Sequence, residues 1–246
     1  LFNGLANHPD FNTVDWSHLK ISVGGGMAVQ SAVAKLWLEK TGCPICEGYG
    51  LSETSPSASC NPTNSKAYTG TIGVPIPGTW FKLLDDDGNE VPQGQPGEIA
   101  IKGPQVMAGY WQRPDETAKV MTPDGYFKSG DIGIVTTDGF FKIVDRKKDM
   151  VLVSGFNVYP NEVEDVVSQL PGVMECAVVG VADEKTGEAV KLVIVKRDPA
   201  LTEAQVREFC KANLTGYKQP KVVEFRTDLP KTPVGKILRR ELRDKK

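Results

Sequence analysis

Five charged residues stand in a row at Asp145-Arg146-Lys147-Lys148-Asp149, with Val144 before them and Met150 and the aliphatic run Val151-Leu152-Val153 directly after. An unbroken charge run does not belong in a core, whereas the aliphatic residues behind it require one, so a solvent-exposed connector meets a new folded unit here. Ahead of it glycine-rich turns are dense. Behind it, from Ser154-Gly155-Phe156-Asn157-Val158-Tyr159-Pro160 onward, helix and strand patterns alternate. The stretch 145–149 reads as a hinge between two domains that share one active site.

A chain of 246 residues can form one large domain or two ordinary ones, and 40% apolar with 24% charged residues is the balance of a globular protein. The net charge of -2 argues against a general nucleic-acid binder, so no nucleic-acid partner is expected. No run approaches the roughly 18 uncharged apolar residues of a membrane span, and no leader-like pattern opens the chain, which makes a cytoplasmic location the expectation. Cys43, Cys46, Cys60, Cys176 and Cys210 are an odd, scattered set that suits a reducing compartment. Cys43-Pro44-Ile45-Cys46 has redox spacing but lacks the second pair of a zinc site. The only histidines, His8 and His18, lie near the start, which excludes a histidine base in the second domain.

Ile21-Ser22-Val23 reads as a strand running into Gly24-Gly25-Gly26, where backbone can approach a ligand; a tight turn is the bland alternative. A helix follows, with Val29, Val33, Leu36 and Trp37 on one face and Gly42 ending it, then a strand into Glu47-Gly48-Tyr49-Gly50-Leu51-Ser52-Glu53-Thr54. Residues 1–66 thus read as the end of a layered α/β domain. Over 67–144, short apolar pieces broken by glycine and proline predict a small distorted β-barrel or sandwich, with a short helix from Pro114 to Val120. The final domain, 150–246, is read as α+β. Asn161 is its first predicted helix cap, Thr202 with Gln205 a capping box, and a short basic helix is expected from Ile237.

Several constellations suit a nucleotide. Tyr49 offers a flat face for a base, Glu53 a ligand for a hard cation, Asp131 two acceptors for a ribose diol and Arg146 a donor fork. Lys236, at the end of a loop stiffened by Pro233 and freed by Gly235, can reach toward a transferring phosphoryl group. Taken singly, each also has an ordinary reading as core aromatic, cap or solvated charge.

Together, Glu47 to Thr54, Tyr126-Phe127-Lys128-Ser129-Gly130-Asp131, Asp145 to Asp149 and Pro230-Lys231-Thr232-Pro233-Val234-Gly235-Lys236 occur in the order found in adenylate-forming acyl-CoA synthetases, which the chain resembles over essentially its whole length. Gly97-Glu98-Ile99, Gly103 and Gly109-Tyr110 resemble a further stretch of that family, and Asp124 to Glu164 resembles the signature of bacterial long-chain fatty acid-CoA ligases. The resemblance implies the remnant of a large amino-terminal AMP-binding domain at 1–66, its β-rich subdomain at 67–144, the hinge, and a mobile lid domain of the acyl-CoA synthetase type at 150–246.

It also implies a two-step ligase using ATP, Mg2+ and coenzyme A. A fatty acid would be joined to AMP with release of pyrophosphate, then passed to the coenzyme A thiol. Adenine would lie against Tyr49 beside Gly50, with the backbone of Gly24, Gly25 and Gly26 lining its pocket and the acyl end. Ser52 would contact the α-phosphate, Glu53 would bind Mg2+, Asp131 and Arg146 would hold ribose, and Lys236 would bridge α-phosphate oxygens. Gly155 would flank the pantetheine channel, a β-turn being its alternative, and Lys148 would be the pivot. Ser52 and Ser129 stand where the family more often has threonine and keep the hydroxyl. A homodimer and peripheral contact with the inner membrane are both compatible with the family.

No Ser/Thr/Gly-rich loop followed by Pro-Lys-Gly precedes residue 24, so the expectation is the carboxy-terminal part of a longer ligase, inactive alone. Alternatives are an adenylation enzyme with another acceptor (a peptide-synthetase module or a luciferase-like oxygenase), an aryl or medium-chain CoA ligase, and a non-catalytic binding protein.

Overall fold

The computed structural model describes residues 1–232 and 235–243. The chain divides into two compact units, Leu1–Ile143 and Val144–Lys246.

In the first unit, α1 (Phe2–Ala6) precedes β1 (Ser22–Gly24), α2 (Ser31–Thr41) and β2 (Ile45–Tyr49). β1 and β2 are parallel, and α2 supplies the crossover that a parallel pair needs. Gly42 ends α2 in the left-handed region, φ 69°. Trp37 is buried among Phe2, Phe11 and Trp16, and its indole N–H donates to Ser22 Oγ at 2.8 Å, which satisfies the one polar atom that burial would orphan. β3 (Ser59–Cys60) and β4 (Val74–Pro75) extend this sheet in antiparallel fashion.

The second sheet comprises β5 (Trp80–Leu84), β6 (Gly97–Lys102), β7 (Phe127–Val135) and β8 (Phe141–Arg146), with α3 (Pro114–Val120) between β6 and β7. The barrel expected over 67–144 does not form: the strand order β5-β6-β7-β8 is that of an open sheet. Closure would need β5 to pair with β8, but each outer edge is taken by a local segment. Val91 N donates to Leu83 O beside β5, while Ile72 N donates to Phe141 O and Phe141 N to Gly73 O beside β8. Glycine and proline spacing reports where the chain turns, not whether the edges meet. Leu83, Ile99 and Ile101 form the core of this sheet, and Tyr49 and Phe81 pack on it.

In the second unit, β9 (Val151–Val153) and β10 (Phe156–Val158) form a hairpin, followed by α4 (Pro160–Val167), β11 (Val173–Asp183), β12 (Gly187–Lys196), α5 (Glu203–Asn213) and β13 (Val222–Arg226). β12 lies inside the sheet, antiparallel to β11 and parallel to β13. Its alternate residues serve two cores. Val190, Leu192 and Ile194 pack with Val163, Val167, Val206 and Cys210 of the helices, whereas Val193 and Val195 face Leu229, Ile237 and Leu242. The Thr202–Gln205 capping box is present.

Three sequence expectations change here. Asn161 does not cap α4: Tyr159 is the N-cap and Pro160 opens the helix. Nor is the charge run uniformly solvated, because Asp145 is 1% exposed. Its carboxylate accepts from Arg146 N and from Asn161 N, each at 2.7 Å, so a long-range acid takes over the capping. Burial nevertheless pushes its pKa up, against the lowering effect of those two amides. The segment after Ile237 forms only a single turn, Arg239–Glu241.

Candidate active site

The glycine loop leaves the end of β1, where Gly24 sits opposite Glu47 of β2. A Cβ on Gly24 would lie 2.6 Å from Val29 Cγ2, which would have to shift to admit it, whereas one on Gly25 would meet Gly48 O at 3.3 Å, a tight contact that does not bar a small side chain. Gly26 has φ 78°. The far side of the loop is tied down at Val29: its N–H donates to Glu47 Oε1 at 3.2 Å, and its carbonyl accepts from Tyr68 Oη at 2.6 Å. Glu47 is buried, which pushes its pKa up, and among the described residues its Oε2 has no hydrogen-bond partner.

β2 ends in the turn that carries Tyr49, Gly50, Ser52 and Glu53. A Cβ on Gly50 would lie 1.6 Å from Pro56 O, so the chain can fold back here only without a side chain. Thr54, fully buried, fixes the turn: its Oγ accepts from Leu51 N at 2.9 Å and donates to Pro56 O at 2.8 Å. Ser52 is left exposed at the surface.

Tyr49 Oη donates to Asp131 Oδ2 at 2.7 Å, and Asp131 is 5% exposed. Asp131 lies in β7 just after Gly130, whose φ of 74° turns the strand locally and whose N–H donates to Glu98 Oε1 at 3.1 Å. Ser129 Oγ accepts from Asp131 N at 3.1 Å, a positioning contact for the neighbouring acid. Glu53 accepts from Tyr110 Oη at 2.9 Å, and burial followed by this acceptor raises the Tyr110 pKa. The first unit therefore joins Tyr49 directly to Asp131 and sets Glu53 on the same turn as Tyr49. Thr54, Glu98, Tyr110 and the buried Glu47 are positioning groups to which motif spacing alone assigned no role. The polar residues beside glycine in Gly97-Glu98 and Gly109-Tyr110 were the available signal.

The remaining residues lie on three segments of the second unit. Arg146 ends β8 with an exposed side chain. Gly155 and Ser154, at φ 84° and 51°, form the two-residue turn between β9 and β10. Nothing lies within 4 Å of a Cβ built on Gly155, so conformation, not space, accounts for glycine within the unit. Lys236 is exposed at one end of a loop whose base is stitched by Thr232 N to Lys236 O at 2.8 Å and Leu238 N to Pro230 O at 2.8 Å. Pro233 and Val234 of that motif lie outside the described residues. Among the described residues, no group of three or more His, Cys, Asp or Glu converges as a metal site, and no helix is long and apolar enough to cross a membrane.

Residues 1–111 match the family described as AMP-binding enzyme, and residues 162–236 match the AMP-binding enzyme C-terminal domain. The chain is 58% identical over 244 residues to a long-chain-fatty-acid–CoA ligase of Escherichia coli O6:H1 (strain CFT073), an alignment covering 99% of this chain and 43% of the relative. It is 40% identical over 245 residues to a feruloyl-CoA synthase of Amycolatopsis sp., covering 99% of this chain and 50% of that protein. Among solved structures, ATP-bound MatB from Rhodopseudomonas palustris superimposes with a TM-score of 0.85 at 32% identity, over 99% of this chain and 52% of that one. The chain thus spans half the length of these curated relatives or less. With both family matches falling on the segments that carry Tyr49, Glu53 and Lys236, the chain belongs to the AMP-binding, or acyl-activating, enzyme family.

Proposed function

We propose that these residues serve an ATP-dependent, AMP-forming fatty acid–CoA ligase, an activity of a protein of the relatives' full length. The observation that carries this reading is 58% identity to a long-chain-fatty-acid–CoA ligase over 244 residues, an alignment that takes in 99% of the chain.

The acid's carboxylate is already a nucleophile at neutral pH. One of its oxygens bonds to the α-phosphorus of ATP as the bond to pyrophosphate breaks, so this step needs positioning and charge neutralisation more than a base. Adenine rests on the Tyr49 ring beside Gly50 and the Gly24–Gly26 backbone. Ribose hydroxyls donate to Asp131, with Arg146 donating to ribose oxygens. Ser52 donates to the α-phosphate, and Lys236 supplies a positive point charge to its oxygens. In the second step the coenzyme A sulfur, after losing its proton, bonds to the acyl carbonyl carbon and AMP leaves. A thiol pKa of about 8.5 leaves a reactive thiolate fraction without a dedicated base.

Glu53 fits Mg2+, which is held by one or two carboxylates plus substrate phosphates and needs no multi-acid cluster. When bound, the ion supplies charge neutralisation at those phosphates. Tyr110, donating to Glu53, orients the carboxylate for that role.

The hinge at 145–149, with its pivot at Lys148, lets the second unit present Lys236 in the first step and the Gly155 turn in the second. Lys236→Ala tests this division in the full-length ligase. It should reduce ATP–pyrophosphate exchange by about 100-fold or more while thioester formation from supplied acyl-adenylate persists; equal losses would remove the assignment. A coupled assay of AMP and acyl-CoA across fatty acids of several lengths tests the substrate class. The feruloyl-CoA synthase similarity favours an aromatic acid as the second reading, and turnover of aromatic acids alone would select it. Five free cysteines suit a cytoplasmic enzyme that meets its fatty acid at the membrane face.

A further inference from the structure

The role proposed for Lys236 demands that its loop be held in place, because an exposed lysine on a flexible stem is otherwise poorly aimed. Ile237 and Leu242 anchor the following segment in the core that faces Val193 and Val195. Between and beyond them, two arginines reach away from that core toward the residues of the hinge.

Arg239 Nη2 donates to Glu164 Oε2 at 2.8 Å and to Asn161 Oδ1 at 2.9 Å, while Nη1 lies 3.8 Å from Asp149 Oδ2. Arg243 Nη2 donates to the Lys148 carbonyl at 3.0 Å and to Asp149 Oδ1 at 3.3 Å. Asp149 therefore lies between both guanidinium groups, and Arg243 also holds the backbone of the proposed pivot. The Asp149, Arg239 and Glu164 side chains are 15%, 18% and 16% exposed. Solvent screening is weak at such depth, and removing one partner leaves a charge without its counterpart. Asn161 completes the frame, donating through Nδ2 to Val144 O at 3.1 Å and through its backbone N–H to Asp145.

We infer that Arg239 and Arg243 are positioning residues that clamp the Lys236 segment to Asp149 and Lys148, so that the lysine and the carboxy-terminal side of the hinge move as one body. This rests on the reading that Lys236 acts in adenylation. Neither arginine touches substrate in this scheme. Their effect is to turn any rotation at the hinge into a defined displacement of the lysine, where an untethered loop would lag behind it.

The test uses the full-length ligase with Arg243→Gln, Arg243→Lys, Asp149→Asn and the Arg243→Gln/Asp149→Asn double variant, with Lys236→Ala alongside. Adenylation is read as ATP–pyrophosphate exchange, thioester formation from supplied acyl-adenylate, and loop order as hydrogen exchange over 230–238. The inference expects Arg243→Gln and Asp149→Asn each to lower the adenylation kcat by about 10-fold, as a misplaced catalytic group does, with KM for ATP and thioester formation little changed. The double variant should be no worse than either single one, Arg243→Lys should recover part of the loss, and exchange over 230–238 should quicken. If Lys236→Ala abolishes adenylation while Arg243→Gln and Asp149→Asn leave it intact, or depress both half-reactions alike, the clamp is overturned and the lysine assignment stands. Unimpaired adenylation in Lys236→Ala overturns the lysine assignment, and the clamp's catalytic meaning with it.

Discussion

Tyr49 and Asp131, 82 residues apart in sequence, are joined by a 2.7 Å hydrogen bond from the phenol to the carboxylate. The bond links the end of a parallel strand pair to the middle of an antiparallel sheet, so the proposed adenine platform and ribose acceptor hold each other in place. Tyr49→Phe keeps the ring but withdraws one donor from a buried acid, and urea unfolding should show a loss of about 1–2 kcal/mol. Asp131→Asn should lose less, since an amide oxygen still accepts. The double variant should fall short of the sum, and strict additivity would mean that the two are not coupled.

Tyr110 is predicted to matter through Glu53 alone. In the proposed full-length ligase, Tyr110→Phe should raise the Mg2+ concentration for half-maximal adenylation by about 10-fold, the usual effect of losing a group that orients a metal-binding carboxylate. The rate at saturating Mg2+ should change little. An unaltered Mg2+ titration would argue that the 2.9 Å contact only fastens the loop.

Glu47 gives a pH dependence with a defined sign. Burial raises its pKa above the ordinary 4.5, so the native state holds the proton more tightly than the unfolded chain. Its contribution to stability is fully present below the unfolded value and is lost as pH rises through the native one. Glu47→Gln keeps an oxygen for Val29 N but cannot ionise. By urea unfolding it should match the parent near pH 4 and exceed it near pH 8 by on the order of 1 kcal/mol; a constant difference across that range would contradict the assignment.

Gly50→Ala should be among the harshest single substitutions in the first unit. The added carbon would fall 1.6 Å from a backbone oxygen, and no side-chain rotation relieves that clash. A destabilisation of about 3 kcal/mol is expected from overpacking of this kind, measurable as a lower urea midpoint. Gly25→Ala, with its nearest neighbour at 3.3 Å, should be much milder.

Much of the architecture was written locally in the chain. The α2 ending at Gly42, the Thr202–Gln205 box and the short α3 follow from propensities and caps that act over a few residues. What escaped were pairings decided far away. The predicted barrel is an open sheet whose edges are occupied by residues 72–73 and 91. The acid that caps α4 is Asp145, 16 residues before its partner Asn161. At the site, motif spacing pointed to Tyr49, Glu53 and Asp131 but not to the phenol–carboxylate bond, because spacing carries no information about which side chains touch. Asp145 also shows why a charge run is a poor guide to solvation when a helix N-terminus lies near.

β12 is buried without interruption from Ala189 to Val195, and the cover on one of its faces is Leu229, Ile237 and Leu242. Clipping the chain ahead of Leu229 would therefore strip an aliphatic stripe bare as well as remove a lysine. A shortened protein that turns sticky and silent would reveal nothing about phosphate chemistry. For this tail, only a point replacement separates what Lys236 does from what its neighbours shelter.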